Sequence, residues 1–375
     1  MATSPQLVTL ELNPSERFEL IDVAARVRER RPGFFEEHPR TLCCSLHTTA
    51  GYLEQGLCAR LDHSERRVGR LVGLFRRLFP HDAGYHHDRL ELREELSAAE
   101  RAQEPVNADS HLTFMTAGLS NCVTYRSEPG APIYFIDLDG INEHFRRVRR
   151  TAVLGYGGEE EVFRGTFRIP ASDHPIDSFN LKDPGLGLFD RIEEILAERG
   201  VETGRIDIGL ARGERHAGLT VNEAETLLMR NDLPEALRDP LRYALRHGGR
   251  LLRHPTSIPG KTREYAVYDL VHLYNEVMDV LGVGRAVADR ILSRLAGPAW
   301  RVFRLKRHVS FAVAGRAEAS ADGAGGGSRD ADALPVPAGR AGRIVQGRYQ
   351  SPILIQHRAA EGGARRLEVR VWRFE

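Results

Sequence analysis

The chain has 375 residues, 28% of them charged, and a formal net charge of +1 at pH 7. That length suggests two domains of ordinary size, and balanced charge excludes a global field that would recruit nucleic acid. No stretch approaches the roughly 18 uninterrupted apolar residues of a membrane span, so no membrane partner is expected.

Residues 7–12 alternate in polarity as a half-buried strand does, and 18–30 carry a helical pattern. Residues 41–49 are short, apolar and polar at their end, which predicts a buried strand with Cys43 and Cys44 in the core. The four cysteines, completed by Cys58 and Cys122, form no C-x-x-C pair. With no signal peptide visible, they point to a reducing cytoplasm. Residues 64–79 place Val68, Leu71, Val72, Phe75 and Leu78 on one helical stripe. Residues 91–104 are charged and read as an exposed helix or loop. Residues 133–138 and 146–154 read as a strand pair joined by a turn at Asp139-Gly140. After a junction at 157–160 come a strand over 165–169 and a helix over 186–199, stopped by Gly200. A strand over 205–210 and helical character over 222–246 follow. An insertion over 265–297 predicts two helices. The glycine-rich stretch over 317–340 has too little apolar surface to fold and is expected to be mobile.

The chain also repeats itself. His111-Leu112-Thr113-Phe114-Met115-Thr116-Ala117-Gly118 reads against His308-Val309-Ser310-Phe311-Ala312-Val313-Ala314-Gly315. Upstream, Ala50-Gly51-Tyr52 matches Ala217-Gly218-Leu219. Downstream, Pro132-Ile133-Tyr134-Phe135-Ile136 matches Pro352-Ile353-Leu354-Ile355. A basic run follows each, Arg146-Arg147-Val148-Arg149 and Arg365-Arg366-Leu367-Glu368. Four landmarks in one order argue for a duplication, with copies over 1–156 and 157–375. The spacings differ where the second copy holds the insertion and the glycine-rich stretch.

Three histidine-bearing segments stand out in the first copy: Ser45-Leu46-His47-Thr48-Thr49-Ala50, Tyr85-His86-His87-Asp88 and Asn107-Ala108-Asp109-Ser110-His111-Leu112. Three imidazoles from separate segments could converge on one ion and leave a position open. With 15 histidines in the chain, scattered surface or core placement is the competing reading.

These segments resemble the YjbQ-type family, described as secondary thiamine-phosphate synthase enzymes. His47-Thr48-Thr49-Ala50 matches its histidine turn. Tyr85-His86-His87-Asp88 matches its second motif, which singles out His87 over His86. Asp109-Ser110-His111-Leu112 matches a third motif that opens a strand. In the second copy, Gly218-Leu219-Thr220-Val221-Asn222-Glu223 is similar to the family's Asn-Glu segment. The segment from Gly342 to Gln350 resembles its closing hairpin, with Tyr349 in place of tryptophan, and Gly362 to Arg366 resembles its basic final strand. Two departures stand against these matches. Pro132 to Ile136 occupies the hairpin's place in the first copy. Glu214 occupies the first histidine's place in the second, where only His308 keeps its position.

The resemblance implies an α+β fold of two tandem YjbQ-like domains, with largely antiparallel sheets flanked by helices and a helical insertion in the second. It implies assembly into trimers, which the tandem copies would mimic. It makes His47, His87 and His111, with Thr48 and Thr49, the catalytic set, and the three histidines the ligands of a divalent metal. A small phosphorylated molecule would meet Arg146, Arg147, Asn222, Glu223, Tyr349, Gln350 and Arg365. The implied reaction joins a pyrimidine diphosphate to a thiazole phosphate, and the departing diphosphate needs a cation or arginine forks. Arg146, Arg147, Arg365 and Arg366 could supply forks, although arginine on a strand's outer face is usually solvated. Two other readings stay open: a non-catalytic binding or scaffold protein, and a metal-assisted hydrolase.

Overall fold

The computed structural model describes residues 4–142, 146–238, 305–315 and 342–375. The inserted helices expected over 265–297 and the glycine-rich stretch over 317–340 lie outside the described residues. The chain forms two compact units, one of residues 1–55, 119–224 and 305–375, the other of 56–118 and 225–304.

Strand β1 (Gln6–Leu12) leads to β2 (Glu19–Asp22) and helix α1 (Val23–Arg30). The helical pattern from 18 onward thus begins as a strand. The break falls at Asp22, whose carboxylate caps α1 by accepting the Ala25 N–H at 3.2 Å and also accepts the Ile133 N–H. Next come α2 (Phe34–Glu37), β3 (Arg40–Ser45), β4 (Ala50–Gly51), α3 (Gln55–Arg60), α4 (Glu65–Leu78), α5 (Ala98–Arg101) and α6 (Ala108–Ala117). Then follow β5 (Cys122–Arg126), β6 (Tyr134–Asp137) and β7 (Arg149–Tyr156). Beyond Gly157-Gly158 are β8 (Glu159–Pro170), β9 (Asp177–Asn180), α7 (Leu188–Glu198), β10 (Gly204–Leu210), β11 (Ala217–Asn222) and α8 (Leu233–Arg238). The last described strands are β12 (His308–Ala314), β13 (Arg343–Val345), β14 (Ser351–Gln356) and β15 (Ala364–Phe374).

The first unit is built from antiparallel sheets, and the class is mixed α+β. Its strand order occurs twice. The N-terminal half gives β1-β7-β3-β5 and β2-β6-β4; the C-terminal half gives β8-β15-β10-β12, extended by β13, and β9-β14-β11. Register recurs as well, since Ala50 pairs with Asp137 and Ala217 with Gln356. Two sequence expectations need correction. His111 lies in a helix and His308 in a strand, so the landmark that most resembles a repeat does not correspond; the counterpart of β12 in strand order is β5. Nor do β6 and β7 form a hairpin. β6 lies between β2 and β4, and β7 lies between β1 and β3. Asp139, taken as a turn residue, is instead fully buried and paired with Arg17 and Arg147, so the connection is held by ion pairs.

The two halves share a core of Leu42, Cys44, Cys122, Ala152, Leu154 and Tyr156 with Ala312 and Phe374. Tyr156 stacks on Phe374, ring centres 3.7 Å apart. Glu159 accepts from both Arg40 and Arg205 at 3.1 Å. Cys44 and Cys122 face each other on paired strands and form a disulfide, against the expectation of reduced thiols, while Cys43 and Cys58 are buried thiols outside any disulfide.

In the second unit, α4 follows its sequence stripe. Ser64 caps it, and Val68, Leu71, Val72 and Leu74 are buried. It packs against α6, every residue of which is buried, the pattern of a helix enclosed on all sides. The cap of α6 comes from a distance: the Asp88 carboxylate accepts the N–H groups of Asn107 and Ala108 at 3.0 and 2.9 Å. Gly118, at φ 75°, ends it. In the charged 91–104 stretch, Arg93 is buried between Glu95 and Glu104. Among the described residues no helix is long and apolar enough to cross a membrane.

Candidate metal centre

His87 follows the loop after α4, and His111 sits on the first turn of α6. Their rings meet edge to face, centres 5.0 Å apart, and both residues are at most 1% exposed. The Nδ1 of His87 is 2.8 Å from a carboxylate oxygen of Glu225. Glu225 is itself fixed, accepting the N–H groups of Leu227 and Leu228 at 2.6 and 2.7 Å. Burial pushes its carboxyl pKa up, but His87 and those two N–H groups outweigh burial and hold it below the usual range. The His87 backbone is clamped too: a π-helical turn, Leu228–Asp232, presents Asp232, which accepts the N–H groups of His86 and His87 at 3.0 and 2.8 Å.

Each ring nitrogen of His87 thus has a defined neighbour. A carboxylate on one ring nitrogen fixes the tautomer and turns the other nitrogen's lone pair outward. Nε2 of His87 stands 3.1 Å from Oδ1 of Asn107. With an oxygen facing each nitrogen, the arrangement suits a doubly protonated ring. With the Asn107 amide turned over, its N–H would donate to Nε2 and suit a neutral ring. Burial pushes the Asp88 carboxyl up to about 6, against the Ala108 N–H bond that favours its charged form.

The other expected site residues lie in the sheet unit. His47 is in the turn between β3 and β4, where its Nε2 accepts the Arg150 N–H at 2.7 Å. Burial, then Arg149, Arg147 and Arg150, push its pKa well below that of ordinary histidine. Thr49 accepts from Arg149 at 3.1 Å, and the Thr48 carbonyl accepts from Asn222 at 3.5 Å. Gln350 locks the turn: its amide donates to the carbonyls of Ser45 and His47, each at 2.9 Å. Arg147 pairs with Asp139 at 2.9 Å, Arg146 is exposed on an isolated bridge to Ile141, and Arg365 pairs with Glu214. Tyr349 is 55% exposed with the Arg348 guanidinium over its ring. Glu223 directly follows β11, two residues before Glu225.

The carboxylates that organise this region are only partly legible in the sequence. Asp88 and Asn107 stood inside the quoted motifs and were legible. Glu225 and Asp232 lie 138 and 145 residues from His87, and nothing local marks them.

No family model and no curated protein matches the chain. Solved structures similar to it include the following three. A YbjQ-like protein of unknown function from Sulfolobus solfataricus P2 shares 12% identity over 58% of this chain and 99% of its own, with a TM-score of 0.27. A hypothetical protein from Aeropyrum pernix K1 shares 14% over 56% of this chain and 96% of its own, with a TM-score of 0.26. A structural-genomics target from C. acetobutylicum shares 11% over 56% and 98%, with a TM-score of 0.23. The fold described above rests on this chain's own strand order and register.

Proposed function

We propose that the chain is a tandem YjbQ-like protein, with copies over 1–156 and 157–375, that binds a divalent metal at His87 and His111. The observation that carries this reading is the pair of buried imidazoles, one of them oriented by Glu225. The donors fit such an ion: imidazole nitrogen is a good ligand for zinc and its neighbours, and the carboxylate behind His87 raises its basicity. His47, in the sheet unit and engaged by the Arg150 N–H, is not among the ligands we assign.

Bound metal would polarise a phosphoryl oxygen or lower the pKa of a water. The substrate class is then a small phosphorylated molecule, and the activity is phosphate-ester chemistry, including transfer of the secondary thiamine-phosphate synthase kind. Within the chain, Glu225 holds the His87 tautomer, Asp232 fixes the main chain at His86-His87, and Asn107 must release Nε2 for His87 to bind.

A non-catalytic binding protein is the second reading. It is favoured by Glu214, which fills the position of the first histidine in the C-terminal half and pairs with Arg365. Zinc titration of the full chain, with turnover assayed on pyrimidine and thiazole phosphates, separates the two. Binding with turnover supports the enzyme, and binding without turnover supports the second reading. Glu225→Gln should weaken metal binding by about 10–100-fold. Unchanged affinity in that variant would remove the basis for this centre.

A further inference from the structure

His47 lies in an arginine-rich corner of the sheet unit, and its hydrogen bonding defines which ring nitrogen carries the proton. Nε2 accepts the Arg150 N–H at 2.7 Å, so the proton of the neutral ring sits on Nδ1. His47 therefore offers a neutral N–H donor. Arg149 beside it is spent on Asp137, and Arg147 on Asp139. Arg150 is held less tightly: its ion pair with Glu11 is 3.8 Å long, and the two side chains are 43% and 57% exposed.

The C-terminal half provides an internal comparison. Ala50 pairs with Asp137 and Ala217 with Gln356, so Ala217 holds the place of Ala50. His47 and Glu214 each precede that alanine by the same interval. The last residue of β3, Ser45, pairs with Thr151, and the last of β10, Leu210, pairs with Leu367. Arg366 thus holds the place of Arg150. The equivalent contact is present: Glu214 Oε1 accepts the Arg366 N–H at 3.2 Å, just as His47 Nε2 accepts that of Arg150. The Glu214 carboxylate also receives the Arg366 Nε and the Arg365 Nη1, each at 3.3 Å. In that half, an oxyanion from the protein itself sits among the arginines.

We propose that the His47 turn is a binding site for a phosphate oxyanion, held by the His47 Nδ1–H and the Arg150 guanidinium, and that Glu214 is the built-in carboxylate that closes the equivalent position in the C-terminal half. Burial first, and then Arg149, Arg147 and Arg150, keep the His47 ring neutral, and a neutral N–H donor beside the Arg150 guanidinium favours an anion over a cation. The site stands apart from the metal proposal, because none of its residues is a ligand there.

The test uses inorganic phosphate and the full-length chain, titrated by calorimetry with EDTA present so that metal-bound phosphate does not contribute. A phosphate monoester run in parallel shows whether the site prefers free phosphate or an ester, and tighter binding of either supports the site. His47→Glu copies the C-terminal half and should weaken phosphate at least about tenfold. Arg150→Ala, at an exposed side chain, should do so about fivefold. His47→Gln keeps an acceptor for the Arg150 N–H and a neutral N–H donor, and should stay within about threefold of wild type. Circular dichroism confirms that each variant is folded. Absence of phosphate binding in the wild type, or equal binding in wild type and His47→Glu, overturns the proposal.

Discussion

The guanidinium of Arg149 grips the carboxylate of Asp137 with two hydrogen bonds, 2.8 Å from Nε and 2.7 Å from Nη2, and both side chains are at most 1% exposed. The same guanidinium reaches Thr49 and the Asp139 carbonyl. It ties β7 to β6 across two sheets and to the turn that carries His47. Removing one partner leaves the other charge buried. Asp137→Ala should therefore cost about 3–5 kcal/mol in urea unfolding. A loss below about 1 kcal/mol would show that the pair is solvated.

Gln350 was expected to touch ligand, yet its amide is fully engaged on protein. Gln350→Ala would strand the carbonyls of Ser45 and His47 and should cost about 1–3 kcal/mol. Gly347 beside it admits no side chain, since a Cβ there would lie 1.9 Å from the Leu46 carbonyl oxygen. Gly347→Ala should be at least as destabilising, as read from the same urea midpoints. Wild-type midpoints in both variants would contradict the role of this turn.

The pH dependence of stability should carry the signature of His47. Its pKa in the folded chain lies well below the unfolded value near 6.5. Above that value both states hold the neutral ring and nothing is lost. As pH falls below about 6.5, the unfolded chain takes up a proton that the folded chain refuses, so stability drops. In His47→Gln the fall in urea midpoint between about pH 7 and pH 5 should be shallower than in wild type. Parallel curves would refute this.

Several elements are legible in the sequence for physical reasons. α4 shows an apolar stripe behind a serine cap, α7 shows the same stripe up to Gly200, and β10 alternates cleanly. α6 is not legible. Enclosed on all sides, it has no polar face to set a period, and its cap arrives from Asp88, far away in sequence. The His111 motif therefore reads as a strand opening. The site divides in the same way. His87 and His111 are marked by their motifs, while Glu225, Asp232 and the Arg149–Asp137 pair depend on contacts that only the folded chain creates.

The cysteines give a direct chemical check. Cys43 and Cys58 are buried, and burial pushes both thiols up, Cys58 to about 11. Native protein should show no reactive thiol, denatured protein two, and denatured and reduced protein all four. The disulfide joins residues 78 apart, and Cys122→Ser should cost about 2–4 kcal/mol. Four thiols without reductant would show that Cys44 and Cys122 are not bonded.

The most direct test of the metal centre is elemental analysis of purified chain, wild type and variants, after equilibration with zinc and gel filtration. One metal per chain is expected, retained in His47→Ala and lost in His87→Ala and His111→Ala. Metal absent from the wild type, or bound equally in all four proteins, would contradict it.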